Sequence, residues 1–267
     1  MLYQSYIRPS LEYCSTVWTN ISKEQMKKIE NLQLAAARIG TGAIKGTRHS
    51  AIYEECKWVT TMERRERKNQ ICFYKIVHNM SPTYLKEILP PQRHVNLEYN
   101  LRNRNNLQQI PSRTTSHQNS FFPSQIRSWN LLPPEIRNID SLPNFKHHLT
   151  ANDGRCEKHK YTGDRYGQII HARMRMGCSP LRHQLKEMKI IEEEACDCGY
   201  EREDPEHFFL HCAQYNNIRP LLLNNDIQPA LTLNTQTLLH GDSNAPARLN
   251  TLLFNRVIEY IISSDIF

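Results

Sequence analysis

The sequence predicts a mostly α-helical protein, a helical block followed by a smaller helical unit organised around a short cluster of cysteine and histidine. Three observations predict it. Apolar side chains recur at three- and four-residue spacing through the long segments between Ser22 and Asn79 and again near the C-terminus, the period of an amphipathic helix. The charge balance changes part-way along the chain: residues 1–150 hold 21 Lys and Arg against 11 Asp and Glu, and the rest holds 13 against 16. A polar stretch, ANDGRCEKHKYTG, coincides with that change. These place a basic helical block at 1–150, a linker at 151–163 and a second helical unit at 164–267.

Within the first block, Ser22 can cap a helix through KEQMKKIENLQLAAARI. Met26, Ile29, Leu32, Ala36 and Ile39 describe its packing face, lysines show on the other, and Gly40 and Gly42 lie where it should stop. A second long helix covers TMERRERKNQICFYKIVHN, charged in its first half and supplying Ile71, Tyr74, Ile76 and Val77 for burial in its second. Residues 90–118 are rich in Asn, Arg, Gln, Ser and Pro without a sustained apolar period, so they read as a long loop or short irregular strands. From Phe121 to Leu149 the density of large apolar side chains, Trp129 and Phe145 among them, means short helices packing back on the block. The second unit opens with an amphipathic pair around QIIHARMRM and PLRHQLKEM. A cysteine-containing turn and short helices at EHFFLHC and QYNNIRPLLL follow. In its final helix Leu249, Leu252, Leu253, Val257, Tyr260 and Ile261 form one apolar face.

The formal net charge is +7, and a basic block suggests a polyanionic partner such as nucleic acid; the plainer reading is a solvated basic surface. Arg64, Arg65, Arg67 and Lys68 make the densest basic run, Lys23, Lys27 and Lys28 lie on the polar side of the first helix, and Arg102, Arg104 and Arg113 have no acidic neighbour closer than Glu98. Each group offers phosphate contacts, although a charge run is more often a solvated helix face and an Arg-rich polar stretch a solvated connector. No apolar stretch approaches the roughly 18 residues that cross a bilayer, and MLYQSYIRPS lacks the apolar core of a signal peptide. The expectation is an intracellular protein, nuclear or cytoplasmic, without a membrane partner.

Eight cysteines in 267 residues are too sparse for a disulfide scaffold, which leaves free thiols or metal ligands. Cys14, Cys56 and Cys72 sit in apolar helical contexts and read as buried fillers. Cys196, Cys198, His207 and Cys212 are different: they form C-x-C-x8-H-x4-C, with Gly199 free to fold the turn back. Two thiolates on a tight turn with a His and a Cys just beyond supply the four soft or borderline ligands that zinc takes in tetrahedral structural sites. Four protein ligands leave no open position, so such a zinc is structural. The spacing of His207 and Cys212, five apart, requires their helix to begin or end near the metal, and His211 competes as a ligand. The alternative is that the three cysteines are small core residues. A second, longer-range set comprises Cys156, His159, Cys178 and His183.

Catalytic anchors are missing. The chain has no Asp-Asp pair, no G-x-S-x-G, no H-E-x-x-H, and neither the dinucleotide nor the P-loop glycine pattern. The run Glu192, Glu193, Glu194 reads as a solvated turn.

Several segments in order resemble one family. YQSYIRPSLEYCSTVW, KKIENLQLAAARI, ERRERKNQICFYKIVHN, NSFFPSQIRSWNLLPPEIRN and SLPNFKHHL look like the region after the polymerase domain in jockey-like non-LTR (LINE-type) retrotransposon reverse transcriptases. HARMRMGCSPLRHQL with CDCGYEREDPEHFFLHCAQYNNIR resembles the zinc-knuckle tail of the same elements. The resemblance implies zinc at Cys196, Cys198, His207 and Cys212, RNA template or target DNA as partner, and docking to the polymerase region of the same element. It also implies that the chain begins near the thumb. The family's Phe/Tyr-x-Asp-Asp box is absent, as is its endonuclease, so the expectation is a non-catalytic nucleic-acid-binding fragment. Tyr200, Phe208 or Phe209 would reach single strands unless they are core. A structural or assembly module, with Tyr3, Ile7, Leu11 and Trp18 open for association, is the second reading.

Overall fold

The computed structural model describes residues 2–93, 105–150, 163–222 and 231–266, and these are mostly helical. Among them there is no strand, only an isolated antiparallel bridge between Gln92 and Leu107. Two compact units form, Met1–Gln33 with Val59–Gly154 and Leu34–Trp58 with Arg155–Phe267. The division after Gly154 falls in the stretch expected to be the linker, whose residues 151–162 lie outside the described ones. Segment 34–58, expected in the first block, instead belongs to the second unit. Leu34, Ala37 and Ile52 are buried there with Ala172, Met176 and Cys178.

The first unit begins its long helix as the sequence predicts: the Ser22 hydroxyl accepts the Gln25 N–H at 3.2 Å and the helix runs over Lys23–Thr41. Its buried side, however, is Met26, Gln33, Leu34, Ala37 and Thr41, while Leu32 is 53% and Ile39 82% exposed. The face differs from the expected one because Gln33 is held inside by hydrogen bonds and Leu34 and Ala37 pack in the second unit's cluster. The Gln33 amide nitrogen donates to the Val59 carbonyl at 3.0 Å, and its carbonyl oxygen accepts from Tyr3 and Arg64. The Thr61–Val77 helix starts with a capping box in which Thr60 and Glu63 satisfy each other's backbone N–H groups. Its Phe73 and Tyr74 build the unit's core with Leu107, Ile126, Trp129 and Phe145. Tyr74 stacks on Phe145 at 4.4 Å and donates its hydroxyl to the Ile139 carbonyl. The Asn130 side chain clamps Leu107 in the irregular segment, accepting its N–H and donating to its carbonyl, and Arg137 donates to the Asn106 side chain beside it.

In the second unit the Asp164 carboxylate caps the Arg165–Met176 helix through the Gly167 N–H, and Gly177 ends it at φ 68°. The Ala247–Ser263 helix buries Leu253, Phe254, Val257, Ile258, Tyr260 and Ile261. Leu249 is only partly buried and Leu252 is on the exposed side, so the apolar face is broader and rotated from the expected one. Gly167 permits the closest approach of these two helices, since a Cβ there would lie 2.6 Å from Ile258. Phe208 and Phe209 join this core, which brings the cysteine-containing turn against it.

Candidate metal centre

The C-x-C turn is built by its own backbone. The Cys196 N–H donates to the Tyr200 carbonyl and the Gly199 N–H to the Cys196 carbonyl, both at 2.9 Å, and Gly199 takes φ +90°, which a side chain would strain. The flanking strand-like pair Glu194 and Glu203 is tied by a 2.7 Å hydrogen bond. Opposite the turn, the Asp204 carboxylate accepts the His207 N–H at 2.8 Å and starts a short helix over His207–His211. That helix is a single π turn, closed by the Cys212 N–H on the His207 carbonyl at 2.7 Å. Residues five apart, which an α-helix would point about 140° away from each other, are thereby brought to one side.

The result is a cluster in which one ligand atom each from Cys196, Cys198, His207 and Cys212 lies within 4.8 Å of all the others. The Cys196 and Cys212 sulfurs are 3.7 Å apart, and the Cys198 sulfur is 3.2 Å from His207 Nε2. Such a group can hold a metal ion, and among the described residues it is the one that can. Cys196, His207 and Cys212 are buried. Burial pushes the Cys196 thiol up to about 12 and raises Cys212 as well. Burial also raises Cys198, but the Tyr200 backbone N–H and the neighbouring thiols outweigh it and leave this thiol below its ordinary value. Burial lowers His207, keeping the imidazole neutral and its nitrogen available as a ligand.

His211, the competing ligand, points away beside Glu206, with 3.9 Å between Nε2 and the carboxylate. Of the longer-range set, Cys156 and His159 lie outside the described residues, and Cys178 is buried in a separate apolar cluster. His183 has both ring nitrogens engaged, with Glu194 and Arg202 each at 2.7 Å.

No family model, curated protein or solved structure matches the chain.

The basic candidates divide. Lys23, Lys27 and Lys28 are exposed on one helix. Arg64 and Lys68 instead converge on the buried Glu12 carboxylate, at 2.7 and 2.6 Å, and Arg64 also donates to Val59 and Gln33. Arg65 is buried, lies 4.2 Å over the Trp18 ring and donates to the Trp18 carbonyl at 2.9 Å. The densest basic run is therefore spent largely on internal bracing. Arg67 is half-buried, Arg113 is exposed, and Arg102 and Arg104 lie outside the described residues. Cys14, expected as a buried filler, is exposed in the turn that follows the short Arg8–Leu11 helix, at φ +48°; Cys56 and Cys72 are partly buried, and burial raises both thiols.

Sequence reasoning missed the supports of the cluster. Arg219 donates to the Phe209 and Cys212 carbonyls and to the Asn216 side chain. Tyr200 stacks on the His207 ring with centroids 4.4 Å apart and planes 2° from parallel. Phe208 and Phe209 are core, and no helix among the described residues is long and apolar enough to cross a membrane.

Proposed function

We propose that the chain is a non-catalytic nucleic-acid-binding module whose second unit is held together by one structural zinc ion, as its resemblance to the post-polymerase region of LINE-type retrotransposon proteins implies. The observation that carries the metal half is the cluster of three thiols and one imidazole. A tetrahedral zinc with Zn–S of about 2.3 Å spaces its sulfur ligands about 3.8 Å apart, close to the 3.7 Å between Cys196 and Cys212. When bound, zinc would supply charge that keeps the three sulfurs as thiolates inside the fold. It would also tie the C-x-C turn to the π turn. Three protein sulfurs and one nitrogen fill a four-coordinate shell, so the role is structural.

The nucleic-acid half rests on Lys23, Lys27 and Lys28, whose ammonium groups are on the surface, and on the excess of 21 basic over 11 acidic residues in 1–150. RNA template or target DNA is the ligand class, and the polymerase region of the same element a further partner. The test of the metal is stoichiometry in the purified protein and in a Cys196→Ser/Cys198→Ser variant. One zinc per chain, lost in the variant together with cooperative unfolding of the second unit, is expected; metal-free, folded wild type refutes the reading. The binding free energy of such sites, roughly 10–16 kcal/mol in small zinc domains, is part of the folding free energy.

A second reading, an assembly module, is favoured by a separate observation: Leu2, Tyr6, Ile7, Tyr13 and Val17 are exposed together at the start of the first unit. Concentration-dependent self-association without nucleic-acid binding would select it.

A further inference from the structure

A histidine that ligates a metal through one ring nitrogen almost always hydrogen-bonds through the other, and that second bond fixes the ring's orientation and tautomer. His207 departs from this pattern. Its Nε2 faces the Cys198 sulfur at 3.2 Å, whereas its Nδ1 is buried without a hydrogen-bond partner. The Asp204 carboxylate is already occupied by the His207 backbone N–H and by Arg202. Something else must hold the ring. The neighbour that does so lies on its face: the Tyr200 ring is 4.4 Å away and 2° from parallel, although Tyr200 itself is 51% exposed.

We infer that Tyr200 is a positioning residue for the metal centre, orienting the His207 imidazole by face-to-face stacking in place of the usual hydrogen bond to Nδ1. This rests on the metal reading above. The backbone gives the reason it sits there. The Tyr200 carbonyl closes the C-x-C turn on the Cys196 N–H, so the same residue fixes two thiol ligands through its main chain and the imidazole through its side chain. Stacking restrains rotation about the Cβ–Cγ bond, because turning the ring out of the shared plane drives its edge into the tyrosine. The hydroxyl takes no part in this restraint, and removing it should cost nothing.

The test uses the full chain loaded with Co²⁺, whose visible absorption reports the donor set and its symmetry, in wild type, Tyr200→Phe, Tyr200→Leu and Tyr200→Ala. Affinity is read by competition with a chromogenic chelator. Tyr200→Phe should match wild type in spectrum and affinity. Tyr200→Leu, which keeps apolar cover, and Tyr200→Ala should both bind about tenfold or more weakly, in the range seen when such outer partners are removed, with altered visible bands. A packing role alone would lower thermal stability and leave the spectrum unmoved. Identical spectra and affinities in all four proteins overturn the inference, as does a Tyr200→Phe protein that behaves like Tyr200→Ala. A wild-type chain that gives no cobalt spectrum overturns the metal reading itself, and that failure is distinct from the others.

Discussion

Metal affinity should rise steeply with pH, and the steepness counts the thiols that become ligands. Above neutrality the Cys196 thiol, pushed to about 12 by burial, and the Cys212 thiol, also raised by burial, are protonated in the metal-free protein. Each must release a proton when it binds. Cys198 is lowered, against its own burial, by the Tyr200 N–H and its neighbours, so it releases between zero and one. His207 is lowered by burial and is neutral there, so it releases none. Two to three protons therefore leave per metal bound. Each linked proton changes the binding free energy by about 1.4 kcal/mol per pH unit. Affinity should then rise about 100- to 1,000-fold for each unit of pH, and the stabilisation that the metal gives the second unit falls by the same amount as pH drops. Competition against a chelator of known protonation constants between pH 6.5 and 8 measures the slope, and proton release into weakly buffered solution checks it. A slope of one or less would mean that no more than one of the two buried thiols, Cys196 and Cys212, is a ligand, and the four-ligand site would be refuted.

Replacing buried Glu12 by Gln should destabilise the first unit by about 2–3 kcal/mol, because the charged hydrogen bond to partly buried Arg64 carries most of the loss and the pair with half-exposed Lys68 adds little; an unchanged urea midpoint would refute this. Burial raises the Glu12 carboxyl, but Lys68 and Arg64 overcome it and leave it lowered, so its contribution is present above the ordinary carboxylate value and disappears as pH falls through the depressed one. Changing Lys23, Lys27 and Lys28 together to Ala should weaken single-strand binding at low salt and flatten the slope of log K against log[salt] by up to about 2, near 0.7 for each phosphate no longer neutralised. An unaltered slope would remove this helix from the interface. Arg64→Gln should instead lower stability, with no change in salt slope beyond that loss of folded protein.

The parts of this protein legible in the sequence are those whose determinants are local. The metal cluster could be read because its ligands lie within 17 residues and the turn geometry of C-x-C-G is short-range. The helix start at Ser22 follows the same rule, set by a side chain three residues from the N–H it caps. What failed were questions decided by distant partners. The buried side of the Lys23–Thr41 helix turns on Gln33, which finds Val59 26 residues away, and an apolar count assigns a glutamine to the wrong face. That Arg64 and Lys68 of the basic run are paired with Glu12, 52 residues before Arg64, is likewise invisible along the sequence. Charge density in a sequence says nothing of which charges are already paired.

The spacing of His207 and Cys212 shows how a local irregularity can be supported from outside. Five residues is the wrong interval for an α-helix and the right one for one π turn, and a π turn leaves carbonyls without their usual acceptor role. Those carbonyls are taken by side chains: the Tyr260 hydroxyl donates to Phe208 at 2.8 Å, and Arg219 donates to Phe209 at 3.2 Å and to Cys212. Phe208 and Phe209 meanwhile anchor the same turn in the core against Tyr260. The turn is thus over-determined by apolar packing on one side and side-chain donors at its end. A chain with only core-filling cysteines has no need of this departure from α geometry, since an α turn would bury Phe208 or Phe209 with its backbone bonds intact. The departure brings the His207 nitrogen and the Cys212 sulfur into a single cluster with the C-x-C turn.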